Sequence, residues 1–247
     1  EVFKGILYFP PESYSKPYPV ILYFHGFPQL FALQEIVKKY QYLLDAGFAF
    51  LAINFRGYRH SEGKVSLSSQ VSDGLTLVQF AKKMAKKTYF NLEHINILAH
   101  DIGAYIALLV CAKTSVVNKL LLLTPILDLE RHVNDNSFVK TLKYINRFLP
   151  GNVQGVERID EFIAMTKSEL TREEFRLEMA LNHLKVNRLK IILGEEDKIT
   201  PLSELDVFNK IESSNIKIKR CIIETMDHEP YEEEHIQQIN EQIQDFF

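Results

Sequence analysis

The chain has 247 residues, 46% hydrophobic and 25% charged, with 29 basic against 32 acidic side chains. That length holds one large domain with a full core, and the formal charge of -3 argues against a general nucleic-acid binder. Two cysteines exclude a disulfide scaffold and a multi-cysteine zinc module, ten glycines and nine prolines exclude a linker-rich chain, and tryptophan is absent.

Residues 2–9 and 20–24 are β-rich, with Pro10, Pro11, Pro17 and Pro19 between them. Residues 31–44 repeat apolar side chains at helical spacing and stop at Gly47, which suits a C-terminal cap. Residues 48–54 form an apolar run of strand length. A helix is predicted over 67–87, ending in Lys82, Lys83, Lys86 and Lys87, a solvated face that complements the helix dipole. The short strand 95–98 leads into an apolar helix over 102–112, and Leu-rich residues 119–124 form the next strand. Strands follow at 189–193 and 216–223, with a last helix over 232–247. From 127 to 186 no strand is visible, only helical pieces at 137–148, 159–165 and 172–184.

Strands alternating with helices imply an α/β fold: a mostly parallel central sheet with helices on both faces. The expected division is a core of residues 1–126 and 187–247, with 127–186 inserted as a helical cap. Cys111 and Cys221 read as buried thiols, which suits a reducing cytoplasm. No apolar run approaches the roughly 18–20 residues that span a bilayer, and Glu1-Val2-Phe3-Lys4 begins no charged-then-apolar leader. A cytoplasmic protein without an integral membrane segment is therefore expected.

Ligands of an open parallel sheet bind beyond the carboxyl ends of its strands. In chain order those ends carry His25-Gly26-Phe27-Pro28, Phe55-Arg56-Gly57 through Ser61-Glu62-Gly63, and Ala99-His100-Asp101-Ile102-Gly103. Then come Gly194-Glu195-Glu196-Asp197 and Met226-Asp227-His228-Glu229-Pro230. Read alone, Asp101 is also a possible N-cap for the helix it precedes, and His228 a possible surface-loop histidine. Glu195, Glu196 and Asp128 compete with Asp197. His25, Arg56 and His100 suit turn-stabilising roles, and His94, His183 and His235 lack metal-ligand spacing.

Five such segments in order resemble the α/β-hydrolase fold over nearly the whole chain, among them an HG turn, a nucleophile elbow, a late acid and a final histidine. The resemblance implies a catalytic set of Asp101, His228 and Asp197, with the backbone N–H groups of Phe27 and Ile102 as oxyanion hole. The elbow usually reads G-x-S-x-G; here Ala99 and Gly103 flank an aspartate. A carboxylate there can attack an sp³ carbon to give an alkyl-enzyme ester, which a His-activated water then hydrolyses.

HGFP, the elbow AHDIG and His228-Glu229-Pro230 resemble epoxide hydrolases and haloalkane dehalogenases. Those relatives place Trp after the nucleophile, where this chain has Ile102. Dehalogenases hold the halide with an indole N–H, and epoxide hydrolases protonate the epoxide oxygen with a pair of cap tyrosines. The insertion offers one tyrosine, Tyr144, as cap acid, with His132 and His183 as substitutes. The stretch from Phe55-Arg56-Gly57 to Asp73-Gly74, with Leu121-Leu122-Leu123-Thr124-Pro125, resembles serine esterases of the feruloyl-esterase and lysophospholipase type and, in part, acylaminoacyl-peptidase-like hydrolases.

The leading expectation is a cofactor-independent, metal-free hydrolase of a small, fairly apolar molecule, with epoxide opening ahead of dehalogenation. The alternatives are an esterase lineage with its serine replaced, or a non-catalytic binder on the same scaffold.

Overall fold

Alternation along each strand decides which face of the sheet a side chain serves. In β2 (Tyr18–Phe24), Val20, Leu22 and Phe24 enter one core cluster while Ile21 and Tyr23 enter another. In β5 (Lys119–Leu123), Leu120 and Leu122 face the first, Leu121 and Leu123 the second. Both faces are thus apolar, as a parallel sheet covered by helices requires. The computed structural model describes residues 2–211 and 216–247.

The remaining strands are β1 (Gly5–Tyr8), β3 (Ala49–Ile53), β4 (Phe90–His100), β6 (Arg188–Gly194) and β7 (Lys217–Ile223). They order β1-β3-β2-β4-β5-β6-β7; β1 runs antiparallel to β3 and the other pairings are parallel. Since β3 and β4 lie on opposite sides of β2, the chain changes winding direction there. A crevice opens at the carboxyl ends of β2 and β4.

Helices α1 (Leu33–Lys39), α2 (Gln41–Asp45) and the final helix, Glu233–Phe246, supply Ile36, Leu43, Ile239 and Ile243 to one face, joined by Tyr40 from the junction of α1 and α2. The other face receives α3 (Leu67–Lys86), α4 (Ile102–Lys113) and a short helix, Leu177–Asn182, packed against α4. Between β5 and β6 lie α5 (Leu129–Asn134), α6 (Asn136–Phe148), α7 (Ile159–Leu170), then α8, which is Leu177–Asn182; α9 is the final helix. Glu169 of α7 accepts from the Leu67 and Ser68 N–H groups at 2.8 and 3.0 Å, tying the inserted helices to the start of α3.

The structure redraws several expected boundaries. The helix expected over 31–44 breaks at Tyr40, whose ring packs 5.5 Å from Tyr23 and 5.6 Å from Phe50. The strand expected over 95–98 runs from 90 to 100. The helix expected over 172–184 divides into a 3-10 turn, Glu173–Phe175, and α8, where the Phe175 carbonyl accepts from the Tyr105 hydroxyl at 2.7 Å. A further 3-10 helix, Leu202–Ile211, follows β6.

Candidate active site

The strand-to-helix turn from β4 into α4 forces Asp101 into φ 54°, ψ -126°, a strained region for a residue with a Cβ that costs about 1–3 kcal/mol. The Asp101 N–H donates to the Leu123 carbonyl, and its own carbonyl accepts from Ala104 and Ile126, which holds the turn in place. Gly103 permits the close approach of α4 to β2: a Cβ there would lie 2.4 Å from the His25 carbonyl oxygen and 2.5 Å from that of Phe24. The Asp101 side chain does not cap its helix; it points into the crevice.

Its two oxygens have different neighbours. The Phe27 N–H donates to Oδ2 at 2.6 Å, and Oδ1 lies 3.5 Å from His228 Nε2. Gly26 leaves the space for this, since a Cβ there would sit 2.6 Å from Oδ2. On its other side His228 meets Asp197, Nδ1 to Oδ2 at 2.8 Å, while Asp197 Oδ1 accepts from the Ile199 and Thr200 N–H groups. Asp101, Asp197 and His228 are all buried. The competing acids are elsewhere: Asp128 caps α5 through Arg131 N–H, and Glu195 reaches Thr225. Ile102 opens α4, where first-turn N–H groups lack intrahelical partners, and its buried side chain lines the crevice.

Charge couples the three groups. Burial opposes the His228 imidazolium, but contact with Asp101 and Asp197 outweighs it and pushes His228 up to about 10. Burial likewise opposes the Asp101 carboxylate, yet His228 and the Phe27 N–H hold its pKa below the ordinary carboxylate value. The pair therefore rests as carboxylate and imidazolium. His25 and His100 are pushed down to about 4, chiefly by burial. His25 is spent on the turn, accepting from the Phe55 N–H at Nε2 and bonding the Gly26 carbonyl at Nδ1. His100 lies 3.7 Å from Glu229, and burial keeps its imidazole neutral despite that neighbour. Arg56 binds Asp73 through Nε at 2.6 Å, a structural clamp on the loop after β3.

Two spaces border residues of the site. A polar cavity of about 360 Å³ is lined by Arg131, His132, Lys198, Asp227, His228 and Glu229. A crevice of about 20 Å³ runs between Phe27, Ile102, Leu129, Val133, Phe138 and Phe162, with room for about one water. The Phe27 ring lies 5.3 Å from Phe138 and 6.4 Å from Phe162, joining the oxyanion loop to α6 and α7. A hollow of about 770 Å³ opens beside Leu92, His94, Asn118 and Asn187, near the amino ends of β5 and β6 and away from these residues. Among the described residues no three His, Cys, Asp or Glu side chains cluster to hold a metal ion.

Asp101, Asp197, His228 and Phe27 are brought together; Tyr144 is not. It lies on the outer side of α6, 54% exposed, because Phe138, Leu142 and Ile145 claim the buried side of that helix. His183 is exposed at the end of α8. His132 is the candidate that reaches the site: it is buried on α5, its ring 4.7 Å from Phe138, and it opens into the cavity of His228. Burial lowers its pKa, partly offset by the Asp101 charge. Phe138 and Phe162 went unassigned from sequence, although the helical phase that puts them inward is readable there.

The family description "alpha/beta hydrolase fold" matches residues 19–168. A lysophosphatidylserine lipase, ABHD12, from Danio rerio is 24% identical over 196 residues, covering 77% of this chain and 46% of that protein. The chain thus spans about half the length of that relative. Among solved structures, Est1E from Butyrivibrio proteoclasticus with ferulic acid bound superposes with a TM-score of 0.72 at 19% identity, covering 99% of this chain and 94% of the other. A puromycin-hydrolyzing peptidase of Mycobacterium tuberculosis also gives 0.72, at 14% identity over 99% of this chain and 36% of its own. These two structural likenesses speak to the fold.

Proposed function

The chain belongs to the α/β-hydrolase fold family, and on that footing we propose that it is a hydrolase acting on a small apolar electrophile, an epoxide foremost, through covalent attack by Asp101. One observation carries this reading: the division of the Asp101 carboxylate between the Phe27 N–H and His228. In the ester formed by attack through Oδ1, Oδ2 becomes the carbonyl oxygen, already placed on the donor that stabilises its oxyanion when water adds.

The proton inventory closes with these residues. Asp101 Oδ1 bonds to an epoxide carbon, the carbon–oxygen bond breaks toward oxygen, and the imidazolium proton of His228 goes to that oxygen. With Asp101 esterified, His228 loses one of its two anionic partners and turns into a base. It takes a proton from the water that adds to the ester carbon. Collapse expels the alcohol, which takes the proton back, and the acid proton left on Asp101 returns to His228. Net, epoxide and water give a diol. Asp197 fixes the imidazole orientation, and His132, facing the cavity from α5, steadies the leaving oxygen in the place that cap tyrosines hold in epoxide hydrolases.

The test is a panel of epoxides, alkyl halides and acyl esters turned over in heavy-oxygen water by wild type, Asp101→Asn and His228→Ala. Label in the Asp101 carboxylate, epoxide turnover reduced by at least about 10⁴-fold in Asp101→Asn, and, from an alkyl halide whose leaving group needs no proton, an alkyl adduct trapped in His228→Ala are expected. Turnover with no label in Asp101 refutes the covalent route. The lipase and Est1E likenesses favour a second reading, acyl-ester cleavage on the same scaffold; esters hydrolysed without label at Asp101 would establish it. A panel left untouched by all three proteins while a ligand still binds would mark a binding protein.

A further inference from the structure

The helix α6 has two unlike faces. Phe138, Leu142 and Ile145 are buried, whereas Lys140, Lys143, Tyr144, Arg147 and Phe148 are exposed and recur every three or four residues, so they form one stripe. Tyr144 and Phe148 are 54% and 56% exposed, their rings 5.0 Å apart, and the Arg147 guanidinium lies 4.9 Å over the Phe148 ring. No acid occurs between Asn136 and Phe148, so this helix carries three positive charges in a chain whose formal charge is -3.

The acids beside it are engaged. Asp135 caps the helix through the Ser137 N–H, Glu157 accepts from the Gly155 N–H, and Glu161 pairs with Arg158. Among the described residues, none of Lys140, Lys143 and Arg147 forms an ion pair with a carboxylate. Nor is any described helix long and apolar enough to cross a membrane. A stripe of aromatic rings flanked by long cationic chains instead fits a bilayer boundary: rings settle at headgroup depth, aliphatic stems lie along the apolar layer, and charges meet lipid phosphates. We propose that this face of α6 docks the protein reversibly on an anionic lipid surface. The opposite face of the same helix presents Phe138 to the apolar crevice, so docking would bring the helix that walls the crevice against the lipid surface.

Sedimentation with phosphatidylcholine vesicles containing increasing phosphatidylglycerol tests this without any substrate. Association should rise with phosphatidylglycerol content, vanish on pure phosphatidylcholine and weaken as salt screens the charges. Neutralising Lys140, Lys143 and Arg147 to glutamine should weaken partitioning about five-fold per charge. Tyr144→Ser with Phe148→Ser should weaken it at every salt concentration, and circular-dichroism melts report whether each variant folds. Absence of vesicle association by the wild type at low salt overturns the proposal. So does association that the folded charge variant retains in full.

Discussion

Replacing Asp101 by asparagine tests the charge balance at the centre of the site. His228 lies 3.5 Å from Asp101 Oδ1 and 2.8 Å from Asp197 Oδ2, and its ordinary value of 6.5 is pushed up to about 10. A group whose folded pKa is raised stabilises the fold fully below its unfolded value, and that contribution is lost as pH rises through the folded value. At about 1.4 kcal/mol per pH unit, the difference amounts to about 5 kcal/mol, lost between about pH 6.5 and 10. Asparagine keeps the shape and the acceptor for the Phe27 N–H but removes one of the two carboxylates beside His228. About half the effect, on the order of 2–3 kcal/mol, should remain. The Asp101 pKa is lowered, so its own contribution fades only in acid, outside this window. Urea unfolding of both proteins across the window is the assay; lysines, tyrosines and cysteines that titrate there cancel in the difference. Parallel stability curves for wild type and Asp101→Asn would refute the coupling.

Gly26→Ala should displace the Asp101 side chain, because the new Cβ falls 2.6 Å from Oδ2; turnover drops at least about 10²-fold while the protein still melts cooperatively, and full activity would show that the carboxylate placement is immaterial. His132→Ala should lower kcat on epoxides by about 10–100-fold yet spare alkyl bromides, whose leaving group needs no proton; equal losses on both, or none, would remove His132 from the reaction.

The fold was legible where burial on both faces left an unbroken apolar signature, as in 48–54 and 119–124. It was illegible where pairing or tertiary contacts overruled the local pattern. Residues Asn91 to His94 look unlike a strand because they face outward. They are nonetheless part of β4, which pairs Phe90 with Tyr18 across a register shift. The break at Tyr40 answers to Tyr23 and Phe50, residues far away in sequence. Within the site, residue type alone left four acids in competition and only the family resemblance favoured Asp197, which lies against His228 with its other oxygen on the Ile199 and Thr200 amides. Tyr144 is the instructive miss: Phe138, Leu142 and Ile145 already fix the helical phase, and that phase turns position 144 outward.

Under the proposed reaction, the aspartate at the elbow changes more than the identity of the nucleophile. A serine there would leave His228 beside one carboxylate, Asp197, free to act as a base from the start. Asp101 adds a second negative charge 3.5 Å away, so the resting histidine holds a proton and cannot activate water. In the proposed reaction that charge disappears once Asp101 is esterified, so attack on the substrate would prepare the base needed for the second step and would release the proton that the leaving oxygen requires. In the same proposal an alkyl bromide takes no proton, so His228 would stay an imidazolium after the attack, whereas an epoxide would complete the cycle with the protons already present.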